Sequence, residues 1–391
     1  MPTAGLPLSG VRVVDFSEQV PGPNATRLLT ALGGEVTKIE RPGGGDRLRH
    51  RPAMFEAENR GKRSLAVDLK TDAGRELALL LASTADIVVE GYRPGVMDRL
   101  RLGYADISRT NPQVVYVSIS GYGAHGPYRD LPGHDFQYLS RVGAIPQPAN
   151  GQAGTYVPTT LPVADLGSSL YASLGIVLAL LEKAQDPTGF TGRHLDVAMA
   201  DCALAMMEPR IAEALQVEDT AAALSRPGYG IYRTADGRHV TIGALEDHFW
   251  TRLVAALELP DLSTDAYRAF EDRRARVAEI ESVLRPRVAG FDRDDLVHLL
   301  VEHDVPVAPV NDLHEPVRDA HFTERGMVTT HPDAPTTRIA AWPAALSPFT
   351  DRDRLTAAPR VGEHSREVLL AAGVPADDVE RLVASGVVHQ A

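Results

Sequence analysis

Residues 133–138 read Gly-His-Asp-Phe-Gln-Tyr, which puts an imidazole and a carboxylate side by side after Pro132. Histidine changes charge near neutral pH, so the pair His134–Asp135 reads in two ways: a helix start with a capping Asp, or the working part of an acid–base site. From Phe136 to Ala164 the chain has no Asp or Glu. Asp165, in Leu-Pro-Val-Ala-Asp, ends that gap between a proline-containing loop and a long apolar run. A third acid–base group, Glu246, follows a hairpin strand. Each has an ordinary reading too. Asp135 and Asp165 suit helix N-caps, His134 a hydrogen-bonded core histidine, and Glu246 a surface carboxylate.

The elements around these groups come in a regular order. Apolar runs at 11–17, 35–40, 64–69, 86–92 and 114–120 predict strands, and helical patterns lie between them. Strands that are apolar almost throughout and alternate with helices predict an α/β domain with a mostly parallel, Rossmann-like sheet. Pro21-Gly22-Pro23 reads as a turn, with Asn24 the N-cap and Gly33 the stop of the following helix. Residues 128–164, with five prolines, read as irregular structure around one short helix. A long apolar helix and a strand running into a helix follow. After about 225 the pattern becomes a hairpin, turning at Asp236-Gly237, and then helices, which predicts a smaller α+β domain. The expected division is a large domain over 1–200, a linker at 201–224, a small domain over 225–325, and a return to the large domain over 326–391.

Bulk properties exclude several functions. The net charge of -12 argues against a nucleic-acid partner, and no apolar run reads as a membrane span. Cys202 is the one cysteine, so no internal disulfide forms; a cytoplasmic location is expected. Gly-Tyr-Gly-Ala-His-Gly at 121–126 matches a dinucleotide fingerprint literally, but Pro127 follows where a helix should open. No P-loop, zinc-ligand or nucleophile-elbow pattern is present. Against the acidic whole, Lys38 to Lys70 holds nine Lys or Arg and five Asp or Glu, a local excess of +4. That run reads as a solvated surface or as a pocket for an anionic small molecule.

Separated motifs then agree in order: Val-Pro-Gly-Pro-Asn through Glu-Arg-Pro-Gly-Gly-Gly-Asp (20–46), Asn-Arg-Gly-Lys-Arg-Ser (59–64), Val-Glu-Gly-Tyr-Arg-Pro-Gly (89–95), Gly-His-Asp (133–135), Val-Ala-Asp-Leu-Gly-Ser-Ser (163–169) and the hairpin up to Glu246. In these the chain resembles the family III CoA-transferases, a group that includes the α-methylacyl-CoA racemases. The resemblance implies a large α/β domain, a small α+β domain and a homodimer of interlocked rings. The implied partner is an acyl-CoA, with no cofactor beyond its CoA moiety and no metal.

Two chemistries compete within that family. Having both the His134 and Asp165 positions and the Pro-Gly-Pro run, the chain looks most like a racemase. His134 and Asp165 would move the α-proton of a 2-methylacyl-CoA through an enolate, one on each face. Glu246 would orient His134, Asp135 would support it, and the Gly-His-Asp backbone would hold the thioester oxygen. The alternative is a transferase in which Asp165 attacks the thioester and passes through a mixed anhydride to an aspartyl-CoA thioester. A third reading is a non-catalytic acyl-CoA-binding protein. By resemblance the nucleotide falls on Arg41, Val67, Leu69, Lys70, Gly91, Arg93 and Arg99, with Gly133 and Tyr138 near the thioester. Two departures stand out: Arg141 replaces a small or apolar residue, and Ser168-Ser169 replace glycines. The arginine reads as an acyl-group partner or a surface residue, and the serines as groups that narrow or polarise the pocket.

Overall fold

The computed structural model describes residues 5–145, 160–217, 226–331, 334–340, 343 and 356–391. Six strands form a parallel sheet: β1 (Arg12–Asp15), β2 (Glu35–Glu40), β3 (Arg63–Val67), β4 (Ile87–Glu90), β5 (Val115–Ser120) and β6 (Arg193–Ala198). After β7 (Tyr229–Arg233), β8 (His239–Gly243), β9 (Val307–Pro309) and the antiparallel pair β10 (Val328–His331) and β11 (Ala334–Ala340), the last strand β12 (Val388–His389) returns to this sheet. The order is β12-β3-β2-β1-β4-β5-β6, with β12 antiparallel to β3. Both faces are covered, as the all-apolar strands require. Val13, Val89, Val115 and Val117 pack with Ala172 and Ile176 of the Val163–Gln185 helix. Val14, Val88 and Tyr116 pack on the other side with Leu77, Ala78 and Leu81.

The helix after β1 begins earlier than its sequence suggests, at Pro21. Proline fits a first helical turn because the amide hydrogen it lacks has no partner there. Pro-Gly-Pro is therefore the helix start and not a turn. Asn24 lies inside the helix, and its side-chain amide donates to Glu58 Oε2 at 2.8 Å. The long apolar helix runs over 23 residues, Val163–Gln185, and is long and apolar enough to cross a membrane. Scattered Ser, Gly and Asp165 hide that property when the sequence is read for unbroken apolar runs. Its exposed face carries Leu170, Leu174, Leu178 and Leu181.

The chain divides into two compact units, residues 1–208 with 323–391, and Pro209–Phe322. Residues 199–214, which include the first part of the linker expected over 201–224, are helical. In the second unit β7, β8 and β9 form an antiparallel sheet, with Arg233 opposite His239 across the turn. The helices Asp247–Ala256, Val277–Val288 and Arg293–Glu302 close a core around Trp250, Ile280, Leu284 and Leu296.

Candidate active site

In the first unit the sheet order reverses at β1: the chain leaves β1 toward β2 on one side and leaves β4 toward β5 on the other. Loops at the carboxyl ends of β1 and β4 therefore part, and such a crevice is where open α/β sheets bind ligands. A cavity of about 790 Å³ lies there. Its walls come from the segments after β1 (Phe16 to Gly22) and after β4 (Gly91 to Val96) and from the end of β5 (Ile119 to Gly121), with His134, Gln137, Tyr138 and Asp165. The Glu90 carboxylate steadies the second wall by accepting the Tyr92 amide at 2.8 Å, and burial raises its pKa to about 7.

The question posed by Gly-His-Asp has a double answer. His134 is the N-cap residue of the Asp135–Arg141 helix, and its own amide donates to Gln137 Oε1 at 3.0 Å. That amide is thus engaged and is not a spare donor for a thioester oxygen. The His134 side chain is exposed and lines the cavity. Asp135 caps a different helix from the one it starts. Its Oδ1 accepts the amides of Ala164 at 2.7 Å and Asp165 at 3.1 Å, in the first turn of Val163–Gln185. Those amides have no partner within their own helix, so Asp135 ties the two helices together and sets the place of Asp165. Asp165, in that helix's first turn, is no cap and faces the cavity. Burial, and then the Asp135 charge, raise its pKa to about 7.

Tyr138 closes the floor beside it. A Cβ on Gly121 would meet the Tyr138 hydroxyl oxygen at 2.6 Å, and one on Gly133 its Cε1 at 2.6 Å, so both glycines are needed for the ring to fit. Burial, then Asp165, push this phenol up to about 12, which keeps it neutral.

Of the residues expected at the nucleotide, Gly91 and Arg93 line the cavity, as do Gly133 and Tyr138. Arg99 reaches the same loop from outside: a Cβ on Gly95 would lie 3.6 Å from an Arg99 Nη atom and 3.5 Å from one of Arg129. The others stand elsewhere. Arg41 is exposed and its Nε donates to Gly45 O at 2.9 Å. Val67 is fully buried in β3, paired with Val388 of β12. Among its neighbours, the Asp68 amide donates to Val387 O, and the Leu69 and Lys70 carbonyls accept Arg75 Nη1, so these backbone groups are engaged within the fold.

The basic run has mostly another purpose. Lys38 and Lys62 are completely buried against Asp46 (2.9 Å) and Asp15 (3.2 Å). Arg49 forks onto Glu40 at 2.8 and 2.6 Å. Against the penalty of burial, Lys62 and then Lys38 hold Asp15 down to about 2. From the run, the cation that does line the cavity is Arg47. Sequence reading missed it, together with Glu18, Gln19 and Arg129, because a list of like charges does not tell which are spent on buried partners.

Ser168 and Ser169 do not shape the pocket. Both are fully buried, and their hydroxyls donate to Asp165 O and, for Ser169, to Pro21 O at 2.6 Å. Arg141 is exposed, with its guanidinium 4.0 Å from the Tyr128 ring centroid. Glu246 belongs to the second unit, exposed at the N-cap position of Asp247–Ala256. The loop 121–126 opens no helix. Among the described residues no group of three or more His, Cys, Asp or Glu side chains is arranged to hold a metal ion.

A model of CoA-transferase family III matches residues 8–365. The chain is 33% identical over 344 residues to the succinyl-CoA–L-malate CoA-transferase alpha subunit of Chloroflexus aurantiacus, covering 82% of this chain and 78% of that one. It is 33% identical over 398 residues to the succinyl-CoA:mesaconate CoA-transferase of Haloarcula hispanica, covering 94% and 96%. Human α-methylacyl-CoA racemase is 28% identical over 396 residues, covering 96% of each. The crystal structure of a CAIB/BAIF family protein from Brucella suis superposes with a TM-score of 0.81 at 27% identity, over 94% of this chain and all of that one.

Proposed function

Since this chain belongs to CoA-transferase family III, we propose that it moves the CoA moiety from an acyl-CoA to a free carboxylic acid, with Asp165 as the nucleophile. The two transferase relatives above, at 33% identity against 28% for the racemase, favour transfer over the racemase reading that the Gly-His-Asp and Pro-Gly-Pro marks suggest. The observation that carries the proposal is the state of Asp165: a carboxylate in the wall of the cavity, poorly hydrated, with its pKa at about 7. A carboxylate short of water is a stronger nucleophile than a solvated one, and near neutral pH a large fraction is ionised.

The steps balance without an external redox partner. The Asp165 carboxylate attacks the thioester carbonyl and expels CoA thiolate, leaving a mixed anhydride. The thiolate attacks the aspartyl carbonyl of that anhydride, releases the first acid and leaves an aspartyl-CoA thioester. The incoming carboxylate then attacks this thioester and expels thiolate again. Attack of the thiolate on the new acyl carbonyl yields the product acyl-CoA and restores Asp165. Each addition builds negative charge on an oxygen, for which the His134 imidazole is a donor in the cavity wall. Arg93 supplies positive charge for the CoA phosphates.

One observation favours proton transfer as a second reading: His134 and Asp165 line one cavity. They would be the two bases, one on each face of the α-carbon. Supplying an acyl-CoA and a different free acid in D2O separates the two. Transfer gives a new acyl-CoA without deuterium at the α-carbon. Deuterium at the α-carbon of the original acyl-CoA, with no new thioester, would replace the proposal by racemisation.

A further inference from the structure

The hydroxyl of Tyr138 is a donor in the cavity wall that the transfer steps leave unused. Tyr138 lines the same cavity as Asp165 and is 4% exposed. A phenol so deeply placed ordinarily bonds its O–H to a neighbour. Here, among the described residues, none bonds to it. The oxygen is not sealed in the core either, and its opening is the cavity. Packing fixes where it stands. A Cβ on Gly121 would come within 2.6 Å of this oxygen and one on Gly133 within 3.2 Å, while the Tyr122 ring meets the Tyr138 ring edge-on with centroids 5.1 Å apart.

The same short helix places the nucleophile. Tyr138 follows Asp135 by three positions in the Asp135–Arg141 helix, so the two project from one face of it. Asp135 in turn accepts the amide of Asp165 at 3.1 Å. Burial and then the Asp165 charge keep the phenol protonated. It does not spend its proton on Asp165, whose carboxyl answers to burial and to Asp135. A neutral donor, held by packing and without a bond of its own, thus stands beside the carboxylate that attacks.

We propose that Tyr138 is a further catalytic residue, its hydroxyl donating to the carbonyl oxygen that gains negative charge as Asp165 attacks the thioester. This rests on the transfer reading and adds a second donor to the His134 imidazole. The proton stays on the phenol throughout: the oxygen accepts a hydrogen bond while it is negative and becomes a carbonyl again as the thiolate leaves. A donor already oriented in a poorly hydrated wall needs no reorganisation when the charge appears, which is why such donors act on the rate more than on binding.

The test is the rate of Asp165 acylation, with protein in excess over succinyl-CoA and samples quenched at intervals with hydroxylamine. Tyr138→Phe keeps the ring that Gly121 and Gly133 admit and removes only the donor. Formation of the Asp165 hydroxamate is expected to slow about 100- to 1,000-fold. The Kd for CoA is expected to stay as in the wild type, and so is the pH at which the rate rises with Asp165 ionisation. An unchanged rate in Tyr138→Phe overturns this proposal and leaves transfer standing. A slowing that disappears at saturating protein also overturns it, because Tyr138 would then be a CoA ligand. So does a rate that rises only at higher pH, because the hydroxyl would then serve the Asp165 carboxylate. Absence of the hydroxamate from the wild type overturns the transfer reading, and this proposal with it.

Discussion

Asp165 works in a setting that opposes its charge, and the pH dependence of the reaction follows from that. Burial and the Asp135 carboxylate raise its pKa to about 7, and the form proposed as nucleophile is the ionised one. The value of kcat/KM is therefore expected to rise with pH through about 7 and level off above it. Asp135→Asn keeps an oxygen that can accept the Ala164 and Asp165 amides but removes the neighbouring charge, so the rising limb should move to lower pH. A profile flat from pH 5 to 8, or a limb that Asp135→Asn leaves in place, would mean that Asp165 ionisation does not govern the rate. At this scale the candidate groups were legible: a His-Asp step and the first acid after a long gap are unusual enough to find, and His134 and Asp165 line one cavity. The partner of Asp135 was not legible, because amides 29 and 30 residues away become its acceptor's neighbours only after two helices pack.

The elements beneath the site depend on charges that a sequence scan assigns to the surface. Asp15 at the end of β1 takes Thr26 Oγ1 at 2.7 Å and Lys62 Nζ at 3.2 Å, and Lys62 also donates to Pro23 O and Asn59 Oδ1 at 2.9 Å. This joins β1, the Pro21–Ala31 helix, the Pro52–Asn59 helix and the approach to β3, which together carry one cavity wall. Lys62→Met leaves Asp15 in the interior without its nearest cation. The expected loss of unfolding free energy is about 3–5 kcal/mol, read from urea unfolding. A loss under about 1 kcal/mol would show that the ion pair is incidental to this packing. Strands and most helices were legible from apolar runs and their spacing. The two-residue β12 was not, since Val388 and His389 carry no period and become a strand by pairing with Val67 and Ala66.

For the whole molecule, the strand order is what makes a site out of these parts. Reversal at β1 opens the crevice, and segments remote in sequence, near residues 19, 47, 93, 134 and 165, meet around it. The parallel sheet was readable from alternating apolar strands and helices, but the choice of cations in the crevice was not, because it depends on which carboxylates the fold buries. Covalent labelling of Asp165 bears most directly on the claim that this crevice transfers CoA. The protein would be incubated with succinyl-CoA, quenched with hydroxylamine, digested and measured by mass spectrometry. An aspartyl hydroxamate at Asp165, dependent on the acyl-CoA, is the expected result. An unmodified Asp165 under conditions that support turnover, or a hydroxamate at another carboxylate, would contradict nucleophilic catalysis by this residue.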